Sequence, residues 1–336
     1  MTAVDEGVET TAPETIAQET IAQETSEWQK KIAGEWHGRP ALFDAVGNHV
    51  GFERVDRASV VEDGVARYWM NTQLEGSGPL RNRFELGAHF DFGIVDSDEN
   101  RVYCGPDFYG TGQPHGLFVE ANYYSPGWQA DLRTWNQVLA DGETQVYSSV
   151  LHDGWAVCAV FNGIYKRTFD HETNPETQRY VEDWIALETQ RGSRPQVLPT
   201  KEKGAWTGTL FVDPVDHSGT GEAQVVIEHD PQSLRHARQH VSWTGALDRS
   251  YTFDRFRDGA RTLYEGPEVF GNATSYGRAL FTSQHLVGPD ARGVEKIRGR
   301  EVLIDADTRE LAVVWQLFRG ETVTHFVHGL LTWETA

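Results

Sequence analysis

Between Tyr103 and His115 the chain gathers a carboxyl, a phenol and an imidazole within thirteen residues: Asp107, Tyr109 and His115. A Gly105-Pro106 turn signal precedes them. On a loop at the mouth of a closed sheet, these groups would aim an acid, a hydrogen-bond donor and a base at one bound molecule. Asp107, Tyr109 and His115 are therefore the candidate catalytic residues. The competing reading is structural: Pro106-Asp107, like Pro267-Glu268, fills the centre of a type I turn and the acid is solvated.

The remaining chemistry-bearing patterns are weaker. His236 and His240 follow Asp230-Pro231, which predicts a short helix presenting both imidazoles on one face at metal-ligand spacing. No third ligand is near, and no metal is expected. His325 and His328 fall in a predicted strand, three apart and on opposite faces, which argues against chelation. His37 follows Trp36 and reads as structural. The sequence has no G-x-S-x-G elbow, no P-loop and no G-x-G-x-x-G after a strand. Cys104 and Cys158 form no Cys-x-x-Cys pair, and no haem-attachment signal occurs. No cofactor is expected.

The elements that must position these groups read as short strands. Apolar and polar residues alternate from Ala66 to Leu74, His89 to Ile94, Gln145 to Leu151 and Trp155 to Phe161. Asp153-Gly154 between the last two is a hairpin signal, because both residues tolerate positive φ. Residues 168–203 differ. Asn174-Pro175 reads as a cap followed by a first helical residue, and Tyr180, Trp184 and Leu187 then recur at helical spacing until Gly192.

Two halves repeat one another. Gly34-Glu35-Trp36-His37-Gly38 matches Gly204-Ala205-Trp206-Thr207-Gly208. Tyr103-Cys104-Gly105-Pro106-Asp107-Phe108-Tyr109-Gly110, with Gly116 beyond, matches Tyr264-Glu265-Gly266-Pro267-Glu268-Val269-Phe270-Gly271, with Gly277 beyond. Asp153-Gly154 matches Arg319-Gly320. The offsets are 170, 161 and 166 residues, in the same order, which one motif recurring by chance does not produce. The pattern implies duplication of an all-β unit of roughly eight to ten strands, enough to close and hide its edges. The predicted organisation is a tail at 1–26, a first barrel at 27–168, a helix and linker at 169–203 and a second barrel at 204–336. Within the repeat, His115 and Tyr109 stand against Tyr276 and Phe270, so chemistry unique to one copy is expected in the first half.

Composition sets the outer bounds. The net charge of −20 argues against nucleic acid or an anionic membrane as partner. Residues 1–28 contribute seven of those charges with no Lys or Arg, leaving −13 for the rest. The Glu-Thr-Ile-Ala-Gln repeat at 14–23 lacks aromatics and reads as a disordered tail or a partner-docking peptide. No apolar run is long enough to span a bilayer, and no basic-then-apolar leader opens the chain, so a cytoplasmic protein without membrane insertion is expected. Oligomeric state is not readable.

The G-x-W motif at the start of a first strand, followed by many antiparallel strands and a helix, resembles the calycin group (lipocalins, fatty-acid-binding proteins and relatives). The doubled arrangement is similar to two-domain lipocalin-like enzymes such as carotenoid hydratases and decalin-forming cyclases. The resemblance implies an all-β fold: two antiparallel lipocalin-like barrels in tandem, with a linking helix. It further implies that Lys166 or Arg167 stacks on Trp36; the second half ends Leu331-Thr332-Trp333 with no base at that place. A calycin interior is wider than small side chains fill, so aromatic walls suit an apolar ligand. Tyr103, Trp69, Phe90, Trp155 and Phe118 are the candidate ligand-binding residues. The expected function is binding of a hydrophobic small molecule within or between the barrels. Cofactor-independent cyclisation, isomerisation or hydration of a polyene- or polyketide-like substrate in natural-product biosynthesis is expected to follow. The alternative is a non-enzymatic carrier or sensor.

Overall fold

The computed structural model describes residues 25–62, 65–76, 88–106, 108–126, 128–167, 202–287, 294–305 and 308–336. The predicted tail up to residue 24, the predicted helix at 174–192 and Asp107 lie outside the described residues. Among the described residues there is one short helix, α1 (Glu27–Ile32), and every other regular element is a strand.

The first half runs β1 (Gly34–Gly38), β2 (Ala41–Phe43), β3 (His49–Glu62), β4 (Val65–Gly76), β5 (Ala88–Asp96) and β6 (Arg101–Cys104). It continues with β7 (Tyr109–His115), β8 (Phe118–Ser125), β9 (Ala130–Val138), β10 (Thr144–Asp153) and β11 (Ala156–Lys166). Each strand pairs antiparallel with the next from β2 to β11. β1 and β2 both pair with β3 on one side and β11 on the other, so together they fill one place and close the sheet. Pro40 lies between them; lacking an N–H, it cannot continue a ladder, and the first strand is broken there.

The second half is a closed barrel of ten consecutive strands. They are β12 (Gly204–Pro214), β13 (Gly221–Pro231), β14 (His236–Gly245), β15 (Arg249–Asp258) and β16 (Arg261–Glu265), then β17 (Val269–Tyr276), β18 (Ala279–Val287), β19 (Val294–Asp305), β20 (Glu310–Arg319) and β21 (Thr322–Thr335). Counting β1 and β2 as one broken strand, the two halves correspond strand for strand. Even an irregularity is duplicated: register shifts after Leu151 in β10 and after Leu317 in β20, the same 166-residue offset as the flanking hairpin. Both barrels are thus of the tandem lipocalin-like kind that the G-x-W pattern implied.

The shared Tyr-x-Gly-Pro segment forms the connection of equivalent hairpins, β6–β7 and β16–β17. A Cβ on Gly110 would meet Asn122 O at 2.2 Å, and one on Gly271 would meet Ser283 O at 2.1 Å, so both strands demand a bare backbone. Gly116 and Gly277 hold φ of +55° and +58° in the next turn. The motif's glycines are accounted for by close strand approach and turn geometry alone, in both copies.

The helix predicted to carry His236 and His240 does not form. Asp230 and Pro231 end β13, and both histidines lie in β14, where pairing with β13 and β15 outweighs the local helix-start signal. His236 contacts Asp254 at 3.0 Å and His240 contacts Thr252 at 2.9 Å, each on the neighbouring strand.

The barrels pack side by side. Phe118 and Trp135 on the outer face of the first meet Val314 and Phe326 of the second. Arg300, fully buried at this seam, donates to Trp135 O at 2.9 Å and Gln137 Oε1 at 3.0 Å. Asn162 donates to Tyr276 O at 3.1 Å further along the seam.

Candidate functional site in the first barrel

The closed end of the first barrel is built by α1 and by the strand that follows it. Ser26 caps α1, its Oγ accepting from Gln29 N at 3.0 Å, while Ser26 N donates to Asp96 at 2.8 Å. Arg101 pairs with Asp96 at 2.9 Å and donates to Gln29 at 2.9 Å, all three groups buried. Trp28 and Ile32 point up into the lumen, and Trp36 seals the base with its Nε1 donating to Ile32 O at 2.9 Å. Arg167 lies 4.3 Å from the centroid of Trp36 and donates to Ala33 O, Gly142 O and Lys31 O. Of the two basic candidates, Arg167 is the one that stacks.

The opposite end is closed by rings. Phe108 and Trp128, on the loops that follow β6 and β8, pack against Phe90 and Phe161; Trp128 and Phe161 are parallel at 5.6 Å.

Between these plugs lies a cavity of about 60 Å³. That volume holds a few waters or a fragment of small size, against roughly 300–1,000 Å³ for pockets that take drug-sized ligands. The second barrel encloses only about 20 Å³ and is filled by its own side chains, Trp243, Tyr251, Phe253 and Trp315 among them.

The walls of the first lumen are aromatic but not apolar throughout. Glu53 and Arg57, two turns of the pleat apart on β3, both face the cavity. Glu53 is 1 % exposed, and its Oε1 has no hydrogen-bond partner; burial pushes its pKa up to about 8. Arg57 is 6 % exposed, and its Nε and Nη2 have no partner. Its guanidinium lies 4.4 Å from the Tyr165 ring and 6.0 Å from that of Tyr68. Burial also raises the phenol pKa values of Tyr123, Tyr147 and Tyr165. At neutral pH the lumen therefore offers a protonated carboxyl, several neutral phenols and one guanidinium that has no counter-charge among the described residues.

Strand register identifies what the second barrel has in these places. Trp36 pairs with Arg57, and Trp206 pairs with Ile227. Four residues earlier on the same strands, Glu53 corresponds to Ala223. The Gln145–Tyr165 pair corresponds to Leu311–Leu331, and Tyr147–Gly163 to Val313–Gly329. The Glu53 and Arg57 positions are thus apolar in the second copy, whose own lumen carries its charges elsewhere on the wall, at Arg255 and Glu301.

The residues singled out from sequence are dispersed. Tyr103 lines the cavity, and Phe90 belongs to the aromatic plug. Trp69 is half-buried and alternates with Tyr68 and Met70, the two neighbours that do face the lumen. Trp155, predicted to begin a strand, is fully exposed in the β10–β11 turn, because Asp153-Gly154 takes the turn one residue later than the alternation implies. Phe118 faces the other barrel rather than the lumen. Tyr109 is 71 % exposed at the other end of β7 from His115. His115 is buried at the seam, stacked 4.0 Å from Phe326 and 5.0 Å from His217. Tyr109 and His115 therefore share the outer face of β7 and do not converge on the cavity. Nothing local in the sequence marks Glu53 and Arg57, because a single charge in a strand is unremarkable by itself. The 170-residue offset of the Trp repeat carries the signal: it sets Glu53 against Ala223 and Arg57 against Ile227.

Among solved structures, the chain is similar to a protein of the DUF3598 family from Nostoc punctiforme, whose function is unknown. The identity is 12 %, the TM-score 0.57, and the match covers 93 % of this chain and all of that one. Transferrin binding protein B from Neisseria meningitidis matches at 8 % identity over 90 % of this chain and 77 % of its own, with a TM-score of 0.25. The first likeness shows a shared fold and nothing finer; the second carries no argument. Neither a protein-family model nor a curated protein sequence matches the chain.

Proposed function

We propose that the lumen of the first barrel binds a hydrophobic small molecule and acts on it by proton donation, with Glu53 as the acid. The observation that carries this reading is the pair Glu53 and Arg57, whose Oε1, Nε and Nη2 are buried without a hydrogen-bond partner among the described residues, where the second barrel has Ala223 and Ile227. A desolvated, unpaired carboxyl and guanidinium each cost the fold several kcal/mol. The second barrel closes with Ala223 and Ile227 at these two positions, and a ligand in the first lumen would supply the partner that these atoms lack.

A carboxyl held neutral to about 8 is a proton donor at physiological pH. Delivered to an alkene or carbonyl among Tyr68, Phe92 and Tyr147, its proton would open isomerisation, cyclisation or hydration of a polyene- or polyketide-like substrate. The aromatic walls would hold the reacting atoms in contact and keep bulk water out. A substrate of that length requires the ring plug of Phe108 and Trp128 to swing outward, since the closed lumen is small. The supporting experiment incubates extracts of the producing cell with native protein and with Glu53→Gln. New species of unchanged mass, or of mass raised by one water, are expected with the native protein only. Equal products with both proteins would remove Glu53 from the chemistry.

A carrier or sensor is the second reading, favoured by the plugs at both ends, which suit retention more than turnover. Solvent extraction of purified protein separates the two: a carrier releases a stoichiometric ligand, whereas an enzyme yields little.

A further inference from the structure

We propose that α1 is a displaceable plug: Trp28 and Ile32 occupy the base of the first lumen in place of the ligand, and binding drives the helix out. This rests on the lumen being the ligand site and adds how that site is opened.

Occupancy carries the inference. Trp28 and Ile32 are buried and belong to the cavity wall, although both come from a segment that precedes the barrel strands. The second lumen is filled differently. Among the described residues, those around its cavity all come from β13 to β20. One interior is thus filled by its own strands, the other partly by an added element.

An added element can leave without opening the sheet. α1 belongs to neither barrel's hydrogen-bonded sheet, and six residues are too few to hold a helix without docking. That docking is a clamp of side chains at one end. Ser26 N and Glu27 N donate to Asp96 and Asp98, each at 2.8 Å. Gln29 donates to Ser59 Oγ at 3.0 Å and accepts from Arg101 at 2.9 Å. Where Asp96 pairs with Arg101 across β5 and β6, the second barrel pairs Arg257 with Thr262 across β15 and β16. The clamp therefore belongs to the copy that carries the helix. At the other end Ala33 joins α1 to Gly34, whose φ of +92° lies in the left-handed region open to glycine. A turn about this joint moves α1 and leaves the strands paired.

The volumes agree with this role. Loss of one large aliphatic side chain from a core can leave a cavity of about 150 Å³. Withdrawing an indole and an isoleucine from beside the present cavity of about 60 Å³ brings the lumen into the range of roughly 300–1,000 Å³ that takes drug-sized ligands. Swinging the ring plug of Phe108 and Trp128 opens the mouth; moving α1 provides the room. Helix and ligand then compete for one space, so whatever loosens α1 tightens binding.

The test uses the full chain and N-phenyl-1-naphthylamine, a neutral apolar fluorophore. Hydrogen exchange of residues 26–33, read by mass spectrometry, is expected to be slow in the free protein and to quicken roughly tenfold or more when the probe saturates. Gln29→Ala cuts the helix from Ser59 and Arg101 but keeps the Asp96–Arg101 pair. It is expected to bind the probe roughly threefold or more tightly than native protein. Probe bound with exchange at 26–33 unchanged or slowed would overturn the displacement while leaving the lumen as a site. Gln29→Ala binding no better than native would do the same. Should that variant melt far below native protein, the exchange of the native chain decides alone. Trp28→Ala vacates the base without moving the helix. No binding by it, by Gln29→Ala or by native protein would remove the lumen reading and the plug with it.

Discussion

Arg167 lies 4.3 Å over the Trp36 ring, and the position equivalent to it by register in the second barrel is Trp333, whose indole packs edge-on against Trp206 at 5.3 Å. One barrel is sealed by a cation on a ring, the other by a second ring. The cation also holds three backbone carbonyls around α1 and the β9–β10 turn. Arg167→Ala should therefore cost roughly 2–4 kcal/mol, from the lost stacking and the orphaned carbonyls together. Urea unfolding followed by tryptophan fluorescence should show the first barrel melting earlier while the second is unchanged.

Glu53 should oppose stability and function in opposite directions. The unfolded chain ionises this carboxyl near 4.5, whereas the folded protein holds it neutral to about 8. Its raised pKa therefore costs nothing below pH 4.5 and costs progressively more as pH climbs from 4.5 to 8, on the order of 4–5 kcal/mol near the top of that window. Glu53→Gln should raise the melting temperature at pH 8, leave it unchanged at pH 4, and remove turnover. Calorimetric melts at the two pH values read the first effect.

The seam between the barrels should weaken in acid through His115. Burial, then the neighbouring His217, hold its pKa down to about 4, against 6.5 for the free side chain; Asp213 opposes them, and His328 adds a smaller push downward. The unfolded chain thus takes up a proton that the folded form refuses. Stability from this site is complete above pH 6.5 and declines as pH falls to 4, by roughly 3 kcal/mol in all. His115→Phe, which keeps the stack on Phe326, should flatten that decline. Urea titrations of both proteins at pH 7 and pH 4.5 compare them directly, and an equal loss in both would clear His115.

The Tyr-x-Gly-Pro motif should behave as a fold element in either barrel. A methyl at Gly110 or Gly271 would fall within about 2.2 Å of a carbonyl oxygen on the adjoining strand. Gly110→Ala and Gly271→Ala should each destabilise their own barrel by about 1–3 kcal/mol through overpacking. Comparable penalties in the two halves are expected on thermal denaturation. A Gly110 variant that loses activity at full stability would return the motif to the chemistry.

Much of this was legible in the chain, and the rest was hidden for reasons that particular residues display. The duplication, the strand pattern and the place of Trp36 were readable because alternation, turn glycines and a repeated offset are local signals. The cation on Trp36 was readable to within one residue, since Lys166 and Arg167 adjoin. What local signals cannot carry is the direction in which a face points. Tyr109 and His115 looked like partners in sequence, yet the outward face of β7 carries both, one to solvent and one to the seam. Trp69 and Tyr68 differ by one residue and stand on opposite sides of the wall, because the strand repeat is two.

By itself, then, the sequence determined two copies of one closed antiparallel unit, since patterning and turn chemistry act between near neighbours and need no partner to be read. Only the tertiary structure decided which side chains line each interior. That depends on three strands, β3, β10 and β11, bringing Glu53, Arg57, Tyr147 and Tyr165 around one space, and on register setting Ala223, Ile227, Val313 and Leu331 at the matching places of the other. A charge becomes significant when burial strips its water and no partner replaces it, and burial is a property of the closed barrel rather than of any segment.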